Sequence, residues 1–317
     1  MVMEVSSQAV KMHRTDGILF SYGIFINISP DHIGPDEHEN FEEYFHCKSM
    51  IFKQCLTGIA NQDDELVMKA AKHGLCPVYA YSLMHPADFQ AENIRYLAEK
   101  DFVGLEFAMK GKVSGTVRVG LPGKFNVSNA MAALSVCSLL GLPANTLTAA
   151  LEKIHVDGRM EIAFASEDYK VIIDYAHNAV SMESLLNTLR DYHPKRLVVV
   201  FGCGGNRAKE RRYAMGETAG KLADFSILTA DNSRFEKVED ILSDIKSALI
   251  PTGGEYVEIP DRREAIRYAV THAEKGDMIA VIGKGHEDYQ EVNGVRTHFL
   301  DREVIEEVLP AIGQKNV

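Results

Sequence analysis

The sequence predicts an α/β protein whose C-terminal half is built on a mostly parallel sheet. Three observations carry this reading. Four β-branched runs each stop abruptly in a polar or glycine-rich cluster: Lys170-Val-Ile-Ile-Asp174-Tyr-Ala-His177-Asn178, Leu197-Val-Val-Val-Phe-Gly202-Cys-Gly-Gly-Asn206-Arg207, Phe225-Ser-Ile-Leu-Thr-Ala-Asp231-Asn-Ser-Arg234 and Met278-Ile-Ala-Val-Ile-Gly283-Lys-Gly-His286-Glu287. Helix-like stretches separate them, so the runs read as buried parallel strands in βαβ units. The strand ends are loaded with His, Asp, Asn, Arg, Lys and Glu. In an open parallel sheet ligands bind outside the carboxyl ends of the strands. One polar end would merely terminate a strand; four in one domain point to a binding crevice.

In chain order, Met1-Val-Met-Glu-Val-Ser-Ser runs straight into structured-looking sequence and reads as the end of a strand. The expectation is a chain that starts inside a domain. Tyr22-Gly-Ile-Phe-Ile-Asn-Ile28 is the next strand and leads into Ser29-Pro-Asp31-His32. Phe41 to Gln54 has helical spacing, with Phe41, Tyr44, Phe45, Ile51 and Phe52 mostly on one side. Cys76-Pro-Val-Tyr-Ala-Tyr81 is a short strand. Val103-Gly-Leu-Glu-Phe-Ala-Met-Lys and Gly115-Thr-Val-Arg-Val119 alternate as a hairpin pair. Asn126 to Leu140 and Asn145 to Ile154 read as helices with Gly141-Leu-Pro between them. Near Asp157-Gly158-Arg159 the pattern resets and the βαβ series begins, giving domains of residues 1–157 and 158–317.

The 317 residues suffice for about two full-core domains. A net charge of −11 argues against a general nucleic-acid binder, though local Arg and Lys clusters can still hold small anions. The five cysteines are scattered without metal-binding spacing, which points to reduced thiols in a cytosol. No apolar run reaches membrane-spanning length, and no signal-peptide pattern opens the chain.

Several clusters could carry chemistry. Asp31-His32 can hold a metal or move a proton, although a solvent-facing turn is the plainer reading. Lys48 gains interest only beside Glu4 and His32, because a hard cation needs oxygen donors. Gly202-Cys-Gly-Gly-Asn-Arg207 could cradle a phosphate between strand and helix, but it lacks the dinucleotide spacing. The charges of Gly283-Lys-Gly-His-Glu287 suit a zwitterion better than a pyrophosphate. No G-x-x-x-x-G-K-[ST] P-loop occurs in the sequence.

Taken in order, these segments resemble the Mur ligases, ATP-dependent amide-forming enzymes of peptidoglycan precursor synthesis. The resemblance is carried by Glu4-Val-Ser-Ser-Gln-Ala, His13-Arg14, Asn27-Ile-Ser-Pro-Asp-His32, His46-Cys-Lys48-Ser, Phe125-Asn126-Val-Ser-Asn129, Gly158-Arg159-Met-Glu161 and the four strand ends. It is strongest to the branch that adds the third amino acid to UDP-N-acetylmuramoyl-L-alanyl-D-glutamate. It implies a truncated central ATPase-type domain followed by a Rossmann-like C-terminal domain with a mostly parallel sheet. The family's uridine-nucleotide domain and P-loop have no counterpart in these residues, so the expectation is an inactive fragment.

The resemblance also implies roles. Glu4 and His32 ligate Mg²⁺, and Lys48 is the lysine that the family carbamylates into an anionic oxygen ligand. Ser6 and Arg14 face the UDP-muramoyl-dipeptide. Asn129, Arg159, Asp174 and His177 border ATP. Arg207, Asp231, Asn232, Ser233, Arg234, Gly283 and Glu287 hold the incoming amino acid, read as meso-diaminopimelate because Arg234 is kept. Ser233 replaces the family's proline, Ala179 follows Asn178 where proline is usual, and Ala208 stands where an Asp often follows the arginine. The implied protein is a cytoplasmic monomer with no nucleic-acid partner and no membrane insertion. Two other readings stay open: a folylpolyglutamate synthetase-like ligase, and a non-catalytic amino-acid or nucleotide-binding module.

Overall fold

A computed structural model describes residues 1–35 and 37–313. The chain divides into two compact units. Unit 1 comprises Met1–Arg95, Leu105–Val119 and Lys124–Lys153; unit 2 comprises Tyr96–Gly104, Gly120–Gly123 and the described residues from Ile154 onward. No described helix is long and apolar enough to cross a membrane.

The first part of the chain forms α1 (Ser7–Lys11), β1 (Phe20–Phe25), α2 (Phe41–Ser49), a 3₁₀ turn (Met50–Lys53), β2 (Cys55–Asn61), α3 (Glu65–Lys72), β3 (Val78–Ser82), β4 (Phe89–Ala98), β5 (Val103–Gly111), β6 (Gly115–Val119), α4 (Phe125–Leu139) and α5 (Ala144–Glu152). The six strands lie in chain order across one sheet. β1, β2, β3 and β4 pair in parallel, and β5 and β6 form the expected antiparallel pair. Phe25, Ile28, Tyr44, Phe52 and Val67 make a core beneath the first strands.

Three expectations fail here for local reasons. Residues 1–6 form neither strand nor helix, so Glu4 does not sit at a strand end. The strand expected to reach Ile28 stops at Phe25. The Ile28 N–H donates to Asp64 Oδ2 at 3.0 Å, not to a neighbouring strand, while Asp64 Oδ1 caps α3. Residues 26–30 therefore separate β1 from Asp31-His32. The helix expected over Phe41 to Gln54 breaks at Ser49 and tightens into the 3₁₀ turn.

Unit 2 contains β7 (Glu161–Ala165), β8 (Tyr169–Asp174), α6 (Ala179–Arg190), β9 (Arg196–Phe201), α7 (Glu210–Leu222), β10 (Phe225–Leu228), α8 (Val238–Leu249), β11 (Glu255–Glu258), α9 (Arg262–Thr271), β12 (Asp277–Ile282), the hairpin β13 (Tyr289–Val292) and β14 (Val295–His298), and α10 (Asp301–Gly313). Its main sheet has the order β11-β10-β9-β12-β8-β7. All pairs are parallel except β7 against β8.

The strand period of two explains why these runs are apolar throughout. Val171, Ile173, Val198, Val200, Ile279 and Val281 pack with α9 and α10 on one face. Ile172, Val199, Phe201, Ala280 and Ile282 pack with α6, α7 and α8 on the other. Every one of these strand residues is at most 3% exposed. Full burial of a Val or Ile side chain stabilises the fold by about 1.5–3 kcal/mol, so a polar residue on either face would be costly.

The order also sets where a ligand can enter. The β9-to-β10 crossover runs over one face through α7, whereas the β11-to-β12 crossover returns over the other through α9. The switch point lies between β9 and β12, whose carboxyl ends lead into Gly202 and Gly283. Beneath it, fully buried Arg262 binds Asp301 with two bonds of 2.7–2.8 Å and donates to the carbonyls of Ile282 and Ala230. This charged fork ties the ends of β10 and β12 together.

Candidate functional site

At the end of β8, Asp174 is buried and both oxygens are engaged. Oδ2 accepts the Met160 N–H at 2.7 Å and Oδ1 accepts the Ala176 N–H at 2.8 Å. Burial pushes its carboxyl pKa up, against the pull of those two bonds and of Arg159. Asp174 thus holds the turn that carries Arg159. The exposed Arg159 guanidinium lies 5.0 Å from the centroid of the Tyr175 ring, a cation–π contact. His177 Nδ1 sits 2.9 Å from the Tyr175 carbonyl. A carbonyl only accepts, so Nδ1 is the donor in this pair. Asn178 caps α6 reciprocally with Ser181, which starts that helix without the family's proline.

The ends of β9 and β10 press against each other. A Cβ on Gly205 would lie 1.9 Å from the Ser233 carbonyl oxygen, and one on Gly202 would lie 2.1 Å from that of Thr229. The Gly205 N–H donates to the Asn232 carbonyl at 2.8 Å, and the Asn206 N–H donates to Glu236. These glycines therefore serve close approach between two loops, and the phosphate cradle expected of them has two of its N–H groups already committed. Arg234 is half-buried with φ of 50° and belongs to no helix. Its Nη1 donates to the Gly205 carbonyl at 2.7 Å, which fixes the guanidinium beside the β9 loop. Arg207 is exposed, and its side chain makes no hydrogen bond or ion pair among the described residues.

Glu287, after β12, gathers the other ends. Its Oε1 accepts from the Tyr175 hydroxyl at 3.3 Å, and its Oε2 from Asn232 Nδ2 at 3.0 Å and Lys284 Nζ at 3.5 Å. Gly283, at φ of 110°, brings the chain against Asp231: a Cβ there would sit 2.9 Å from Asp231 Oδ2. Asp231 Oδ1 accepts the Asn232 N–H at 2.6 Å, and Ser233 is buried. The β13–β14 hairpin closes this side through Arg234 N–H to Glu291 O and Glu291 N–H to Asn232 Oδ1. The result is a carboxylate, an amide and a guanidinium at neighbouring strand ends, a set complementary to a zwitterion.

In unit 1, His32 has φ of 54°, and its Nδ1 is 3.1 Å from Glu37 Oε1. Its ring lies 5.8 Å from that of Tyr44, and Lys48 Nζ lies 5.8 Å from the same Tyr44 ring centroid. His32 and Lys48 thus share one aromatic neighbour. Glu4 is exposed without a hydrogen bond or ion pair among the described residues. No three His, Cys, Asp or Glu side chains among the described residues form a metal-holding group. Ser6 caps α1 by accepting the Ala9 N–H at 3.1 Å. Arg14 is exposed, and its Nη2 lies 3.4 Å from Met12 Sδ. Asn129, on α4, donates to Asn126 Oδ1 at 3.1 Å.

A cavity of about 850 Å³ lies at the opposite edge of the unit 2 sheet, lined by Arg196, Asp224, Glu255 and Asp277. Its arginine is already forked onto Asp277 and bonded to the His272 carbonyl. Arg196 is matched by Asp277 and Glu274, and Asp224 by Arg190, whereas at the carboxyl edge side chains from several strand ends converge on Glu287. The chemistry, not the volume, favours the carboxyl edge.

Sequence reasoning gave no individual role to Tyr175, Lys284 or Glu236 and missed the β13–β14 hairpin. Lys284 carried a usable signal, a lysine between two glycines directly after a six-residue buried strand. The hairpin had none, being short and largely exposed.

Known proteins share this fold. Residues 1–137 match the Mur ligase middle domain, and residues 158–285 match the Mur ligase glutamate ligase domain. A UDP-N-acetylmuramoyl-L-alanyl-D-glutamate–2,6-diaminopimelate ligase of Clostridium acetobutylicum is 38% identical over 309 residues, covering 97% of this chain and 63% of that protein. A solved structure of a ligase of the same name superposes with a TM-score of 0.76 at 33% identity, covering 99% of this chain and 64% of the other. A folylpolyglutamate synthase of Thermotoga maritima, at 21% identity and a TM-score of 0.58 over 78% of this chain and 56% of its own, shares the fold alone. The chain thus spans less than two thirds of the length of the relatives it matches. Two matched domains in the family's order, with sequence identity running through both, make this chain a member of the Mur ligase family.

Proposed function

We propose that this chain carries the amino-acid pocket and the metal residues of an ATP-dependent ligase of peptidoglycan precursor synthesis. The reaction joins meso-diaminopimelate to UDP-N-acetylmuramoyl-L-alanyl-D-glutamate. The observation behind it is Glu287 beside Asn232, with Arg234 fixed on the neighbouring loop. A diamino acid with a second carboxylate needs an anion for an ammonium and a guanidinium for the far carboxylate.

ATP phosphorylates the free carboxylate of the muramoyl-dipeptide to an acyl phosphate. The amine of the amino acid attacks, and the tetrahedral intermediate loses phosphate. Arg234 and Glu287 orient the amino acid, with Asp231, Ser233, Gly283 and Arg207 completing the pocket. Arg159, Asp174, His177 and Asn129 border the nucleotide, and Ser6 and Arg14 meet the UDP-muramoyl substrate. Positioning and charge neutralisation supply most of the catalysis.

Glu4 and His32 would hold Mg²⁺; one carboxylate and one imidazole suit an ion that keeps most of its waters. Bound there, the ion would neutralise phosphate charge. Lys48 cannot ligate a cation as an ammonium, so its part requires conversion to a carbamate. The same reading makes the protein a cytoplasmic monomer.

Calorimetric titration of the chain with meso-diaminopimelate and with L-lysine tests this function. Arg234→Ala should weaken diaminopimelate binding by ~1.5–3 kcal/mol, the scale of a hydrogen bond to a charged group, and barely change lysine binding. Equal affinity for both, unmoved by the substitution, would reject the assignment.

A further inference from the structure

We infer that Lys284 is a positioning residue of this pocket: it fixes the Asn232 amide and the Glu287 carboxylate in the orientation that receives an ammonium group. The inference rests on the amino-acid reading above.

Lys284 is fully buried. Its ammonium has three donors and three acceptors: the Tyr289 carbonyl, Asn232 Oδ1 at 3.4 Å and Glu287 Oε2 at 3.5 Å. Gly283 and Gly285 on either side have φ of 110° and 54°, which lets the backbone turn this side chain inward. Desolvation pushes the lysine pKa down, and the charges of Asp231 and Glu287 oppose that.

The decisive detail is the amide. Asn232 Oδ1 accepts from Lys284 and also from the Glu291 N–H at 2.9 Å. Reversing the amide would set an NH₂ against an ammonium and an N–H, leaving three donors and no acceptor. Nδ2 is therefore directed at Glu287 Oε2, 3.0 Å away. Glu287, whose side chain is 21% exposed, is thus held from behind by Asn232, Lys284 and Tyr175 while part of it still meets solvent. A carboxylate has about four acceptor positions, so one remains for an incoming cation. Lys284 offsets part of the negative charge of Asp231 and Glu287.

A merely structural lysine would affect stability and nothing else. The test uses the whole chain, meso-diaminopimelate as the probe, and the variants Lys284→Met, Glu287→Gln and their combination. Each single change should weaken binding about tenfold or more, the scale of losing a hydrogen bond to a charged group. The double variant should be no weaker than the weaker single, because Lys284 acts through Glu287. Multiplying effects, or a Lys284→Met variant that binds like wild type while Glu287→Gln does not, would overturn the inference alone. No wild-type binding, or no effect of Glu287→Gln, would instead bring down the amino-acid reading on which it stands. A crystal structure of Lys284→Met decides without ligand: Asn232 or Glu287 should leave its present position, and both unmoved would refute the inference. Should Lys284→Met not fold, Lys284→Gln, which keeps a donor, takes its place under the same criteria.

Discussion

Glu287 accepts hydrogen bonds from residues that follow three different strands, Tyr175, Asn232 and Lys284. Its place depends on glycines that let the loops approach. Gly205 shows the constraint most sharply, because a Cβ there meets the Ser233 carbonyl oxygen at 1.9 Å. Gly205→Ala should destabilise unit 2 by about 1–3 kcal/mol, the usual cost of forcing extra volume into a packed site. Denaturant titration with an unchanged midpoint would show that the two loops are not in contact. The residues of this edge were legible because four polar ends followed four apolar runs. Their partners were not, since a pairing such as Asn232 with Glu287 spans 55 positions and depends on the strand order.

The helix and strand elements explain which readings succeed. β8, β9, β10 and β12 are buried on both faces, so their residues are apolar without interruption and stand out. β2 and β4 carry Thr57, Asn61, Glu92 and Arg95 at half-exposed or exposed positions and lack that signature. β1 ends early because the Asp64 carboxylate, a partner from another element, takes the Ile28 N–H.

Between β10 and α8, Glu236 joins the β9 loop to α7. It accepts the Asn206 N–H and two bonds of 2.8 Å from Arg212, and these partners, the Asn206 N–H first, hold its carboxyl below the usual range. A lowered folded pKa means that the native state prefers the carboxylate. The stabilisation is complete above the unfolded value near 4.5 and is lost as pH falls through the lower folded value. Thermal melts of wild type should therefore fall away below about pH 4.5 more steeply than those of Glu236→Gln. Parallel profiles for the two would remove Glu236 from the acid response.

At the scale of the molecule, the chain matches two successive domains of the family. The 317 residues contain no P-loop, the main triphosphate cradle of the family. The chain by itself should release no phosphate when given UDP-muramoyl-dipeptide, ATP, Mg²⁺ and diaminopimelate. Turnover at an ordinary rate, on the order of 1–10³ s⁻¹, would mean that other residues here perform that task.

On the proposed function, the carboxyl edge of the unit 2 sheet binds the amino acid. Backbone amide shifts of the isotope-labelled chain, titrated with meso-diaminopimelate, test it most directly. The changes should concentrate at residues 202–207, 231–234 and 283–287. Shifts gathered instead at Lys195, Arg196, Gly253, Glu255, Lys275 and Asp277, around the cavity at the opposite edge, would contradict it.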